Sequence, residues 1–213
     1  MPLLLELFSG TGSVGKVAKE MGYSVISLDR DMDADIKMDI RNFKYDTSPP
    51  HMFDVIWASP PCTEYSRAKS RGIRDIDGAN EITQLTLKII EHFPPKYWVI
   101  ENPQTGLLKE QIFMNGIPYD DVDYCKYGMP YRKRTRLWNN IDKWISKPLC
   151  KKDCNSMNET RTRHIQEAQQ GGSTAERRRV QLTFRTEDLY RVPSELIKEI
   201  LTACDLEVDD ASE

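Results

Sequence analysis

The sequence predicts an α/β fold built on a doubly wound, mostly parallel sheet, and three observations carry that prediction. Short apolar runs of strand length alternate with segments of helical periodicity. A glycine-rich turn follows the first run directly. Asp29, Cys62 and Glu101 each come immediately after a predicted strand, so they converge on the carboxyl edge, where such sheets bind ligands.

The elements follow in order. Residues 3–8 (LLLELF) form the first strand and end at Ser9-Gly10-Thr11-Gly12-Ser13-Val14-Gly15. Val14, Val17, Ala18 and Met21 then recur at helical spacing, and Gly22 closes that helix. Residues 23–28 make a second strand ending on Asp29; Asp39-Ile40 follow after a short connection. Residues 53–58 make a strand that stops at Ser59-Pro60-Pro61-Cys62. From Ala79 to His92, apolar positions 82, 85, 87, 89 and 90 predict a helix, and residues 97–100 predict a strand leading into Glu101-Asn102-Pro103. The stretch from about Ser146 to Arg179 has weak periodicity, many charges and a Gly171-Gly172-Ser173-Thr174 run, the composition of an insert or long loop. Residues 192–203 read as a closing amphipathic helix with Ser194 as its N-cap, and the tail from Asp205 is acidic.

Length and composition fit this plan. The chain has 213 residues, 30% of them charged and 39% hydrophobic, a size that suits one α/β domain with a small insert. The mean hydropathy of −0.59 is low, yet the apolar residues cluster in discrete runs, which argues against disorder. No window approaches the ~18 apolar residues of a membrane span, and no basic region precedes Leu3-Leu4-Leu5, so neither a membrane nor a secreted protein is expected. Five cysteines, unevenly spread, fit reduced thiols in a cytoplasmic protein better than a disulfide framework. The net charge of −3 hides an asymmetry: Lys126 to Arg185 carries 15 Lys+Arg against 5 Asp+Glu, or +10, and the remainder carries −13. A basic stretch on an acidic body points to a polyanionic partner held at one place, or to a solvated charge-rich surface.

The chemistry lies at the strand ends. A glycine turn brings backbone amides and a helix N-terminus to a ligand, while an acid at the end of the second strand can accept hydrogen bonds from a ribose diol; together they suit a nucleoside cofactor. Pro60-Pro61 forms a stiff extended rim that presents Cys62, a candidate nucleophile. A carboxylate at the end of a buried strand beside it, Glu101, is a candidate proton donor. Taken singly, each has a plainer reading: an ordinary βα turn, a small buried thiol, a capping carboxylate.

In combination these residues resemble the cytosine-5 methyltransferases, a family that uses S-adenosylmethionine. ELFSGTGSVG is similar to the family's opening glycine motif, Asp29 sits at its ribose-binding acid, and Asp39-Ile40 matches the pair that holds the adenine. SPPCTEYS resembles the nucleophile loop, mapping Cys62 and Ser66; VIENP resembles the strand ending in glutamate-asparagine; YGMPYRKRTRLW resembles the segment with an Arg-x-Arg pair, mapping Arg134 and Arg136. Two departures stand out. The glutamine expected after YGxP is replaced by Tyr131 or Arg132 with one extra residue, and only about 50 residues lie between Trp138 and Val192, where most members carry a large target-recognition domain.

The resemblance implies a Rossmann-like, class I S-adenosylmethionine-dependent methyltransferase fold. It also implies catalytic roles for Cys62, Glu101, Arg134 and Arg136, and cofactor contacts from Phe8, Ser9, Gly10, Thr11, Gly12, Ser13, Asp29, Arg30, Asp39, Ile40 and Pro60. Cys62 would add to C6 of cytosine, activating C5 toward the methyl group, while Glu101 would hydrogen-bond N3 and the exocyclic amine. Because C5 and C6 are stacked in a duplex, the base must flip out or arrive single-stranded. Ser66, Arg132, Lys133 and the run Arg177-Arg178-Arg179 would contact the nucleic acid. Residues 1–144 and 186–204 would form the catalytic and cofactor-binding domain, 145–185 a small basic insert, and 205–213 an acidic tail. DNA is the expected partner and RNA the runner-up, with a catalytically weak nucleic-acid-binding relative as the non-enzymatic alternative; the compact size suits a phage, viral or mobile-element enzyme. No metal is expected in this machinery. Within the insert, Cys150, Cys154 and His164 would bind zinc only if Cys125 or another group completed the set, free loop cysteines being the default.

Overall fold

The computed structural model describes residues 1–69, 72–166, 168 and 186–207. At its centre is a seven-stranded sheet of order β3-β2-β1-β4-β5-β7-β6, formed by β1 (Leu3–Leu7), β2 (Ser24–Asp29), β3 (Ile36–Lys37), β4 (Val55–Ala58), β5 (Tyr97–Pro103), β6 (Tyr119–Asp123) and β7 (Arg134–Asn139). The first five strands are mutually parallel, and β7 runs antiparallel to both β5 and β6. The short strands LLLEL and VIWA are almost wholly buried, as continuous apolar runs must be when helices cover both faces of a parallel sheet.

One face packs on α1 (Ser13–Glu20) and α3 (Ser194–Ala203), enclosing Leu4, Val17, Trp57, Val99, Leu137, Leu196 and Ile200. The other packs on α2 (Ile76–His92), enclosing Leu5, Leu28, Ile56, Ile89, Phe93, Ile100 and Trp138. Alternation along each strand sorts the side chains into these two cores: Leu4 and Glu6 of β1 face α1, whereas Leu5 and Leu7 face α2.

Three boundaries differ from expectation. The second helix begins at Ile76 because Asp75 caps it, its carboxylate accepting the Gly78 amide at 2.9 Å. Ser194 is the first helical residue of α3, not its cap; Pro193 holds the cap position without a side-chain bond. The fifth strand continues through Glu101 to Pro103, because β7 pairs with it over that whole length. Between β7 and α3 the described part of the insert has no helix or extended strand, only the isolated bridges Tyr131 to Gln166 and Met157 to His164 and a short 3-10 turn, Thr186–Tyr190. Arg177, Arg178 and Arg179 lie outside the described residues. Among the described residues, no helix is long and apolar enough to cross a membrane.

Candidate active site

β1 leads into a turn of left-handed residues, Phe8, Gly10 and Gly12, with φ of 59°, 51° and 67°. Gly12 is the N-cap of α1 and offers no side chain, so capping of the first-turn amides falls to another element. Asp29, at the end of β2, ties that loop down: Oδ2 accepts the Gly10 amide at 2.8 Å, and Oδ1 accepts the amides of Asp31 at 2.8 Å and Met32 at 2.9 Å. Beneath the turn, Glu6 projects from β1 into the helix start and accepts the Gly15 amide at 2.9 Å. Burial pushes its carboxyl up to about 7.

The nucleophile loop is anchored at both ends. Ser59 donates its amide to the Leu7 carbonyl at 3.1 Å, and the Pro60 carbonyl accepts from the Asn102 side-chain amide at 2.9 Å, joining the ends of β1, β4 and β5. Beyond Cys62, the buried Tyr65 hydroxyl bonds Asn80 at 2.9 Å and Thr83 at 3.1 Å on α2, and the Tyr65 carbonyl accepts the Leu107 amide at 2.9 Å. Cys62 is thus presented between two fixed points with its side chain partly accessible. Burial pushes its thiol up, Glu101 adds to that, and the nearby Lys133 ammonium opposes it.

Glu101 is 6% exposed and accepts the Tyr124 hydroxyl at 2.9 Å, with the Lys133 ammonium 3.6 Å away. Lys133 is held over the Tyr124 ring and donates to the Leu189 carbonyl at 3.2 Å. The register explains which cation arrives here. Glu101 lies opposite Leu137, so Leu137, Thr135 and then Lys133 share its face, and Arg134 and Arg136 point to the other. Arg134 forms a two-pronged pair with buried Asp123 (3.0 and 2.7 Å), and Arg136 does the same with Asp121 (2.7 and 2.9 Å) while stacking on Tyr119. The structure therefore places Lys133 beside Glu101 and turns the arginine pair expected there toward the β6 edge.

A cleft of about 290 Å³ gathers Phe8, Ser9, Gly10, Ser13, Asp29, Pro60, Cys62, Glu101 and Lys133. Asn102, Tyr190 and Val192 also line it, and Ser13 accepts the Val192 amide at 3.2 Å. A neighbouring depression of about 420 Å³ shares Glu6, Ser9 and Gly10 and adds Thr11 and Gly12.

Other expected residues sit elsewhere. Ile40 is 3% exposed and packs in the α2 core rather than lining a cleft. Asp39 caps a 3-10 turn through the Arg41 amide at 2.9 Å, with the exposed Arg30 at 3.9 Å. Ser66 closes a local turn by accepting the Ala68 amide at 3.2 Å, and Arg132 is exposed.

Residues 5–112 match the model of the family described as C-5 cytosine-specific DNA methylase. A protein of Frog virus 3 (isolate Goorha) named "Probable DNA (cytosine-5)-methyltransferase" is 35% identical over 221 residues, covering 94% of this chain and 99% of its own. The chain belongs to the C-5 cytosine-specific DNA methylase family. A second relative, the type II methyltransferase M.AgeI of Thalassovita gelatinovora, is 23% identical over 65% of the chain and 39% of its own length. A solved structure, of a provisionally assigned DNA modification methyltransferase encoded within an E. coli prophage, superposes with a TM-score of 0.51 at 16% identity, over 70% of this chain and 52% of that one. It establishes the fold.

For this methylase, family and fold together imply S-adenosylmethionine as methyl donor and transfer to C5 of cytosine in DNA. The residues fit that group. Ser9 Oγ and Thr11 Oγ1 are buried with no hydrogen-bond partner among the described residues, at the turn where a polar ligand would sit. The Gly15 amide of the helix start is taken by Glu6, and Asp29, with three acceptances already made, lines the cleft with capacity for one more. Asn102 and Tyr124 had no role in the sequence reading. Asn102 was findable, being the amide that follows a strand-end acid, whereas Tyr124 reaches Glu101 only through the β6–β7 hairpin.

Proposed function

We propose that Cys62 is the covalent nucleophile and Glu101 the cytosine-binding acid of this DNA cytosine-5 methyltransferase. The observation that carries the reading is their meeting in one cleft with the glycine turn and Asp29. Cys62, as thiolate, adds to C6 and drives ring electrons toward C5; after methylation the C5 proton leaves, the sulfur–C6 bond breaks and the thiolate returns. Lys133 stabilises that thiolate and orients Glu101, and Tyr124 fixes the second contact of the carboxylate. Glu101 meets the N3 and exocyclic-amine edge, offsetting charge as the ring reacts. The residue 8–13 turn and Asp29 would hold S-adenosylmethionine, which when bound would supply a methyl group on a sulfonium centre.

Residues 1–144 with 186–204 act as the catalytic body and 145–185 as the DNA-facing insert. Lys151, Lys152, Arg161 and Arg163 of the insert, and Arg132 of the body, are exposed and form no ion pair among the described residues, which supports that footprint. Methyl transfer from tritiated donor to DNA and to RNA, with nucleoside analysis, should give 5-methylcytosine in DNA. Cys62→Ser should abolish it while cofactor binding persists. DNA carrying 5-fluorocytosine should trap a covalent adduct in the parent alone; an adduct surviving in Cys62→Ser would overturn the assignment.

A further inference from the structure

Cys125 and the insert meet at a second centre that the methyl-transfer chemistry does not use. Cys125 sits on the 3-10 turn Tyr124–Tyr127, just after β6, while Cys150, Cys154 and His164 come from the insert. One ligand atom from each of these four residues lies within 4.8 Å of all the others, and Cys150 Sγ stands 3.6 Å from His164 Nε2. A tetrahedral zinc with Zn–S of about 2.3 Å and Zn–N of about 2.0–2.1 Å has edges of about 3.8 Å between sulfurs and about 3.5 Å between sulfur and nitrogen. The set therefore needs a contraction of at most about 1.3 Å at any one separation to close on an ion.

Three further features suit a metal better than inert thiols. The cysteines are at most 6% exposed and all are free, with only Met157 completing their cluster among the described residues. That is very little apolar surface to hold a segment whose described part has no helix or extended strand. The Lys152 amide donates to Cys150 Sγ at 3.3 Å from a left-handed turn (φ 67°), an outer-shell bond of the kind that favours a thiolate. Finally, the Cys150 amide donates to Asp123 at 2.9 Å, the same carboxylate that Arg134 grips, so the centre is braced by β6 and β7. Where free cysteines in a small loop are the default expectation, the structure brings four candidate ligand groups together.

We propose that Cys125, Cys150, Cys154 and His164 bind one zinc ion in a closed Cys3His site that fastens the insert to the β6–β7 edge of the methylase. Binding displaces the three thiol protons to solvent and leaves no open coordination position, so the role is structural.

Metal analysis of the desalted protein, produced with zinc and without chelator, should find one zinc per chain. Cobalt exchange should give the visible bands of a tetrahedral ion together with thiolate charge-transfer absorption. Cys154→Ser should weaken zinc, in chelator competition, by more than the roughly 100-fold cost of losing an outer-shell partner. His164→Cys should retain one zinc and strengthen the charge-transfer band, and Cys204→Ala, away from the cluster, should retain zinc unchanged. A metal-free wild type, or a Cys154→Ser protein that binds zinc as tightly as wild type, would overturn the proposal. None of these readouts depends on methyl transfer.

Discussion

Lys133 joins three parts of the cleft through single contacts: the Glu101 carboxylate, the Tyr124 ring and the Leu189 carbonyl. Because its charge opposes the rise that burial imposes on the Cys62 thiol, Lys133→Met should push that thiol further up. The thiolate fraction at neutral pH should therefore fall. Single-turnover methyl transfer measured against pH should show the rising limb displaced to higher pH, and an unmoved limb would remove Lys133 from the thiolate's surroundings. Asp29→Ala should weaken S-adenosylmethionine at least about tenfold by calorimetry, since it removes a charged acceptor and also frees the loop amides. Glu101 and Asp29 were legible because each stands directly after an apolar run, and Cys62 because a short Ser-Pro-Pro rim follows one. Lys133 was not, because YRKRTR holds four cations in five positions and a shift of one residue exchanges the faces of a strand.

At the level of elements, the join between β1 and α1 is the most sensitive. A Cβ on Gly15 would stand 2.5 Å from Glu6 Oε2, so Gly15→Ala should cost about 1–3 kcal/mol in denaturant unfolding. Glu6 itself makes stability depend on pH. Its folded carboxyl, near 7 against an ordinary 4.5, keeps a proton that the unfolded chain has lost, so stability is fully present below about 4.5 and falls as pH rises toward 7. Glu6→Gln should remove up to about 3 kcal/mol of that fall, seen as a flatter melting temperature between pH 5 and 8. Arg134→Met, in turn, should lower stability by about 2 kcal/mol by removing the charged hydrogen bonds to buried Asp123, which keeps the Cys150 amide, with S-adenosylmethionine affinity unchanged. The helices and the first, second, fourth and fifth strands were legible from apolar periodicity. β3 has only two residues, and β6 reads as a loop because YDDVD carries three carboxylates. Those carboxylates become strand residues when β7 brings Arg134 and Arg136 opposite Asp123 and Asp121.

Across the whole molecule, the described part of the +10 segment divides into charges used inside the protein and charges turned outward. Lys126, Arg134, Arg136, Lys143 and Lys147 pair with acids of the same chain. Replacing Lys151, Lys152 and Arg163 with glutamine should flatten the slope of log DNA affinity against log salt by up to about three units, whereas Arg136→Gln should leave it unchanged. Composition showed the asymmetry, but only the fold shows which cations are already engaged. The cleft also has a wall from late in the chain. Val192 meets Ser13 across 179 positions, and the Tyr23 hydroxyl reaches the Leu201 carbonyl across 178. Contacts closing so long a loop form late in refolding, after the local pairing of β1 with β2 and β4. In a refolding time course, far-ultraviolet signal should therefore recover before the ability to retain S-adenosylmethionine, so a nascent chain acquires its sheet well before it can hold its cofactor.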